Sequence, residues 1–435
     1  MLPSHSRLAF YAQRSTSLST IYREMSLPSN SAFPSYIVAQ VGARRGYAVP
    51  AILASAGMLS GLYTDICGNV GLGRLSALGA PFSQGLRKLS GRHVPPSVVP
   101  LTQAFPIRTA LHIGYERLRC ERAKEQGRAH MRWQCQLGRA AARAGFANAT
   151  HCFSMLAEFP TLTLSAKARG LRTVAEVYIL LSTERIVAEE QKAFPSWEPR
   201  PSDFEPIRRE FFADDVLLTK TDYFLCPSDA VRDDLILNRG VVPESIAVIP
   251  YGVDPKLLTL RPSPQRGRVL FVGTADLRKG VHYLAMASEQ LANHTSGLEF
   301  RIAGNVSSLV ATQPICRHLT FLGRVPRSMI HEEFQTADLF VLPTLAEGSA
   351  EAIYEALAAG LPVITTKSAG SVVRDGIEGR IVPERDWHAL AAAIQELTED
   401  RVLRDRMALA ARERAKDFTW GRYGERLLTY LRSLS

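Results

Sequence analysis

What most restricts the fold of this chain is an alternation of short apolar runs with longer amphipathic stretches, begun twice along the sequence. Tyr36-Ile-Val-Ala-Gln-Val41 reads as an opening strand, followed by a turn over 42–46 and a helix from about Val49. After a less regular stretch the alternation resumes, with strands expected at 171–179, 222–226 and 245–249 and helices around 205–219 and 229–237. A turn-rich linker, Pro250-Tyr-Gly-Val-Asp254 and Arg261-Pro-Ser-Pro-Gln-Arg266, then interrupts it. The second run begins cleanly. Strands are expected at 268–272, 299–303, 319–322, 339–342 and 362–365, with helices at 281–291, 327–337, 350–359, 387–397 and 402–418. Strand–helix–strand order of this kind predicts α/β architecture with two doubly wound parallel sheets, and a ligand cleft between them.

The expected domains follow from these breaks. Residues 36–254 form the first Rossmann-like unit, 255–267 the linker and 268–417 the second unit; 418–435 form a closing helix that packs back across the domains. Residues 1–35 read as a disordered or spurious extension. Residues 1–23 hold Arg7, Arg14, Arg23 and seven Ser/Thr, with no acidic residue before Glu24, a composition resembling a transit peptide; the simpler reading starts translation at Met25. Between 68 and 145, Pro95, Pro96, Pro100 and Pro106 are expected to break any long helix. Gly68-Asn-Val-Gly-Leu-Gly73 has the wrong spacing for a dinucleotide loop.

No run of 18 apolar residues exists, so a spanning helix is not expected. The six cysteines form no CxxC pair, which points to buried, reduced thiols in a cytoplasmic protein. Charge is unevenly distributed within the net +10: between Arg87 and Arg143 twelve Lys/Arg face only Glu116, Glu121 and Glu125. Such a block suits an anionic membrane surface or a charged acceptor, and equally a solvated face; no motif for nucleic acid accompanies it.

The densest chemistry lies in Pro343-Thr-Leu-Ala-Glu-Gly-Ser-Ala-Glu-Ala-Ile-Tyr-Glu355, followed by Ala-Gly-Leu-Pro-Val-Ile364. A strand ends at Pro343 and a helix is expected from near Ser349, which would leave the amides of Gly348, Ser349 and Ala350 as donors to a phosphate. Glu347 and Glu355 are repulsive beside a phosphate, so they need another task, such as gripping sugar or ribose hydroxyls; solvating a helix surface is the plainer alternative.

Six segments in order resemble the family-4 retaining glycosyltransferases of the GT-B fold. Glu347 and Glu355 stand at that family's Glu-x7-Glu positions, and Phe271-Val-Gly-Thr-Ala-Asp-Leu-Arg-Lys-Gly280 matches its strand, Gly and Lys-Gly pattern. Phe321-Leu-Gly-Arg-Val325, Ala337-Asp-Leu-Phe-Val-Leu-Pro343, Cys226-Pro-Ser-Asp-Ala-Val-Arg232 and Ile249-Pro-Tyr-Gly-Val-Asp254 supply the rest. The resemblance is sharp over about 222–366.

It implies transfer of a sugar from a nucleotide-diphosphate donor to a saccharide or lipid-linked hydroxyl, with retention, in polysaccharide or glycolipid biosynthesis. Glu347 would lie by the donor sugar and Glu355 would hold the ribose. Lys279 and Arg278 would stabilise charge on the departing nucleotide, with no metal or other cofactor required. Gly273, Thr274, Gly323, Arg324, Gly348, Ser349 and Ala350 complete the implied donor site. Thr274 departs from the family's usual Arg, and Arg278 is expected to supply the missing charge. On the acceptor side the resemblance implies a loop over Gly42, Arg44, Arg45 and Gly46, with His151 as a cleft histidine and Glu176 as a further carboxylate. A peripheral position on the inner membrane face is expected. A nucleotide-sugar-binding protein without turnover, a sugar-phosphate synthase and an epimerase remain as alternatives on the same fold.

Overall fold

A computed structural model describes residues 34–76, 84–119, 123–198, 204–212, 215–292 and 296–434. The expected N-terminal extension lies outside the described residues up to position 33. Among the described residues thirteen strands build two parallel sheets. The first contains β1 (Tyr36–Gln40), β2 (Leu59–Thr64), β3 (Thr102–Ala104), β4 (His151–Met155), β5 (Arg172–Glu176), β6 (Tyr223–Cys226) and β7 (Ile246–Val248), in the order β3-β2-β1-β4-β5-β6-β7. The second contains β8 (Arg268–Val272), β9 (Glu299–Ala303), β10 (Leu319–Gly323), β11 (Leu339–Leu342), β12 (Val363–Thr366) and β13 (Gly379–Val382), in the order β10-β9-β8-β11-β12-β13. Both are doubly wound, as expected. In each the strand order reverses once, between β1 and β4 and between β8 and β11, and loops leaving the carboxyl ends at such a reversal splay apart to leave a crevice.

Central strands are buried on both faces: every residue of β1, β4 and β11 is buried, and their sequences are mostly apolar, with Gln40, His151 and Ser154 as buried polar residues. Helix boundaries follow local chemistry. Ser228 Oγ accepts from the Val231 amide at the start of Asp229–Arg239, and Gly240 closes it in the left-handed conformation at φ +63°. Asp386 and Asp400 cap Trp387–Glu399 and Arg401–Lys416 in the same way.

The region 68–145 is more regular than its prolines imply. Pro106 opens the helix Pro106–Arg119 instead of breaking it, because the first helical position has no intrahelical amide bond to lose; Ala123–Ala144 then runs 22 residues without a proline. The chain folds as two compact units. One gathers the described residues up to Glu176, those from Ser202 to Leu225 and those from Gly424 onward; the other holds Val177–Pro201 and Cys226–Tyr423. The division at 254/268 expected from the linker is therefore not where packing divides the chain. Five cysteines are buried free thiols, and Cys120 lies outside the described residues.

Candidate active site

In the second unit, β8, β9 and β10 each run into a glycine at or just past their carboxyl ends. The Gly273 amide donates to the Ala303 carbonyl (2.9 Å), and the Gly304 amide donates to the Gly323 carbonyl (2.8 Å). This stacking is possible only without side chains at Gly304, where a Cβ would run into the Gly273 carbonyl oxygen. Above this floor lies a cavity of 280 Å³ whose wall includes Thr274, Asn305, Arg324, Ile330 and Glu355. Five of the expected donor residues thus share one enclosure: Gly273, Thr274, Arg324 and Glu355 line it, and Gly323 supports its floor.

Beside the cavity, at the β8/β11 reversal, two loops are laced together. The Leu345 amide and the Thr344 hydroxyl both donate to the Arg278 carbonyl, at 2.8 and 2.9 Å. Arg278 donates through Nη1 to the Ala346 carbonyl (3.1 Å) and pairs with Glu347, and Lys279 Nζ lies 2.6 Å from the same carboxylate. Two cations thus converge on one carboxylate where loops from β8 and β11 meet, with the carboxylates of Asp276 and Glu198 on amides of the same loop. Asp276 caps the Lys279 amide at 2.8 Å; burial pushes its carboxyl up while Arg278 pulls it down. Glu198 accepts from the Leu277 amide at 2.7 Å. Sequence reasoning missed Glu198, because nothing local marks a carboxylate that caps a loop 79 positions away.

Two expectations change. Arg278 does not line the cavity beside Thr274: its guanidinium is turned to Glu347 and Ala346, and Arg324 is the cation on that wall. The helix starts at Glu351 with Ala350 as its cap, and the Ala350 amide donates to the Ala369 carbonyl (3.2 Å), so it is not held open for phosphate. The Ser349 hydroxyl, as distinct from its amide, is bonded to Gly370 O and Tyr354 Oη, both at 2.8 Å.

In the first unit the loop after β1 lies where expected, at the β1/β4 reversal. Arg45, Gly46 and Tyr47 all take left-handed backbone angles, with φ of 47°, 62° and 62°. The turn is held by carboxylates at or just past the carboxyl ends of other strands: the Gly42 amide donates to Asp65 (2.8 Å), Arg44 pairs with Glu158 and Arg45 pairs with Glu176 (2.6 Å). Burial pushes the Glu158 carboxyl up against the pull of Arg44. His151 is elsewhere. It is the first residue of β4, in register with Tyr36 at the amino end of β1, so it sits on the opposite sheet edge from this loop. Its Nε2 bonds the Leu434 carbonyl, its Nδ1 bonds Thr150 (both 2.7 Å), and its ring packs on Tyr36. The cleft role expected for His151 is withdrawn: the ring is buried and both nitrogens are spent.

Among the described residues no cluster of His, Cys, Asp and Glu is arranged to hold a metal, and no helix is long and apolar enough to cross a membrane.

Residues 260–414 match the family model described as "Glycosyl transferases group 1". It is 27% identical over 252 residues to D-inositol 3-phosphate glycosyltransferase of Corynebacterium diphtheriae, covering 52% of this chain and 59% of the relative. It is 32% identical over 184 residues to the phosphatidyl-myo-inositol mannosyltransferase of Mycolicibacterium smegmatis, covering 40% and 48%. The matches thus span about half the length of these relatives. Sucrose-phosphate synthase from Thermosynechococcus elongatus superposes with a TM-score of 0.63 at 18% identity, over 92% of this chain and 99% of that one. The two-sheet fold is therefore the GT-B fold.

Proposed function

We propose that this protein is a retaining glycosyltransferase that moves a sugar from a nucleotide diphosphate to an acceptor hydroxyl. The observation that carries the reading is the Arg278–Lys279–Glu347 cluster, set at a strand-order reversal beside a glycine-floored cavity bearing Glu355. In this reading the nucleotide occupies the cavity, with Glu355 accepting from ribose hydroxyls and Arg324 facing its phosphates. Lys279 and Arg278 take the negative charge that grows on the diphosphate as its bond to the anomeric carbon breaks. The acceptor oxygen bonds that carbon on the same face, and its proton passes to the departing phosphate oxygen. The two cations supply the charge that a metal would otherwise bring. The acceptor is a saccharide or a lipid-linked sugar at the inner membrane face; the phosphatidyl-myo-inositol mannosyltransferase activity of one relative supports glycolipid synthesis.

A thermal-shift series with UDP, GDP, ADP and their sugar conjugates tests the donor site, since a ligand of the folded state raises Tm. One nucleotide is expected to stabilise selectively, and Glu355→Gln to weaken it about tenfold, equivalent to the loss of one good hydrogen bond. Unchanged affinity in that variant overturns the ribose role. Lys279→Ala is expected to lower kcat about 10²–10³-fold, the usual cost of losing one preorganised charge-stabilising group. Product analysis separates the rivals: donor binding without consumption marks a binding protein, sugar on a phosphate marks a synthase, and an inverted sugar centre marks an epimerase.

A further inference from the structure

The helix Pro106–Arg119 is built inside out. Ile107, Ala110, Leu111, Gly114, Tyr115 and Leu118 fall at three- and four-residue spacing, which places them on one face. That face points to solvent: the four large side chains are between 47 and 82% exposed. Two of its polar residues look inward. Thr109 is buried, with its hydroxyl on the Phe105 carbonyl, and His112 stacks on Trp133 of the next helix at 4.6 Å. A surface helix of a water-soluble domain has the opposite polarity, so this apolar strip is made for a non-aqueous neighbour. At 14 residues the helix is about 21 Å long, enough to lie along a bilayer surface and too short to cross one.

Charge identifies the neighbour. Along the sequence the strip lies within the block of twelve cations and three carboxylates; of those cations, Arg92 pairs with Asp65 and Arg128 with Glu210, both from outside the block. In the same unit the turn Gly71–Leu75 exposes Leu72 and Leu75, and the helix Gln84–Ser90, which touches it, exposes Leu86 beside Arg87 and Lys88. Apolar side chains set among cations match an anionic bilayer, whose headgroups take the charge while its acyl region takes the leucines and Tyr115. A second copy of this chain would bring a like-charged block against the first. We infer that the solvent face of Pro106–Arg119 is a docking surface for an anionic lipid bilayer, inserted at headgroup depth. The inference is independent of the donor-site reading, because lipid and nucleotide binding are measured separately.

The full-length protein is sedimented with phosphatidylcholine vesicles, with and without phosphatidylglycerol, alongside the Leu111→Gln/Leu118→Gln double variant. The wild type is expected to bind phosphatidylglycerol vesicles at least about tenfold more strongly than phosphatidylcholine alone, and to release as salt rises. The double variant is expected to lose at least about tenfold in that binding while keeping its Tm and nucleotide-induced shift, since both side chains already face water. No binding to phosphatidylglycerol vesicles overturns the inference, as does equal binding by the variant. A wild-type dimer in sedimentation velocity that the variant converts to monomer also overturns it, in favour of a second copy on the strip.

Discussion

Gly348 carries a constraint that the catalytic reading alone would not require. A Cβ there would run into the Tyr178 carbonyl oxygen, a backbone atom that cannot swing away, while the Gly348 carbonyl accepts from Ser228 Oγ at 2.5 Å. Gly348→Ala should therefore displace the loop that carries Glu347, lowering stability by about 1–3 kcal/mol in thermal or urea denaturation and weakening nucleotide binding with it. Glu198→Gln tests positioning. The amide keeps an acceptor for the Leu277 N–H, so kcat should recover most of what Glu198→Ala loses, with KM for the donor little changed. The same residues show which parts of the site were legible in the sequence. Glu347, Arg278 and Lys279 were singled out by the Glu-x7-Glu and Lys-Gly patterns of the resembled family, and the fold brings the three side chains together. His151 misled because a histidine flanked by apolar residues reads alike at either end of a strand, and only the register with Tyr36 tells which. Ala350 misled because the residue that consumes its amide, Ala369, lies in a loop with no signature of its own.

Among the elements, the helices Pro106–Arg119 and Ala123–Ala144 meet through histidines. His112 stacks on Trp133, and His130 lies 5.4 Å from the same ring and 6.1 Å from His112. Burial holds both imidazoles below their ordinary range; Glu116 pulls each back up, and His112 pushes His130 further down. The unfolded chain therefore binds protons more readily than the folded one. Stability from this pair is fully present above about pH 6.5, the unfolded value, and is lost as pH falls below it. Hydrogen exchange should show these two helices opening faster at pH 5 than at pH 7, with a smaller difference in His130→Gln. These helices were hidden in the sequence by the prolines before them, whereas strands of the second unit, such as 268–272 and 339–342, were legible to the residue because unbroken apolar runs between turns admit few readings. β2 was missed: Ser60 and Gly61 interrupt its apolar run, and the strand is imposed by pairing with β1 and β3.

At the scale of the whole chain, the segment Val177–Pro201 lies in the sequence among first-unit strands but packs with the second unit. Its Glu190 accepts from His282 (2.9 Å) and Arg385 (2.8 Å) and from the Tyr283 hydroxyl. Burial alone would raise this carboxyl, but the three donors outweigh it and hold it at about 2. Its contribution to stability is present above the unfolded carboxylate range and is lost only as pH falls toward 2. A fragment of residues 226–423 should therefore be unstable by itself, and a peptide of residues 177–200 added in trans should raise its Tm; no change would show that the segment is dispensable. The sequence could not reveal this division, because a linker rich in turns marks where the chain bends and not where packing changes sides.

The closing helix supplies a last consequence. Tyr36 Oη donates to the Leu431 carbonyl and His151 bonds Leu434, so the first strand and the final residues are pinned to each other within one unit. A molecule stretched between residues 34 and 434 would carry the load through that clasp. Tension would reach the second unit only after the clasp had sheared, and that unit is therefore mechanically shielded by a contact between the first strand and the residues that follow it in the chain.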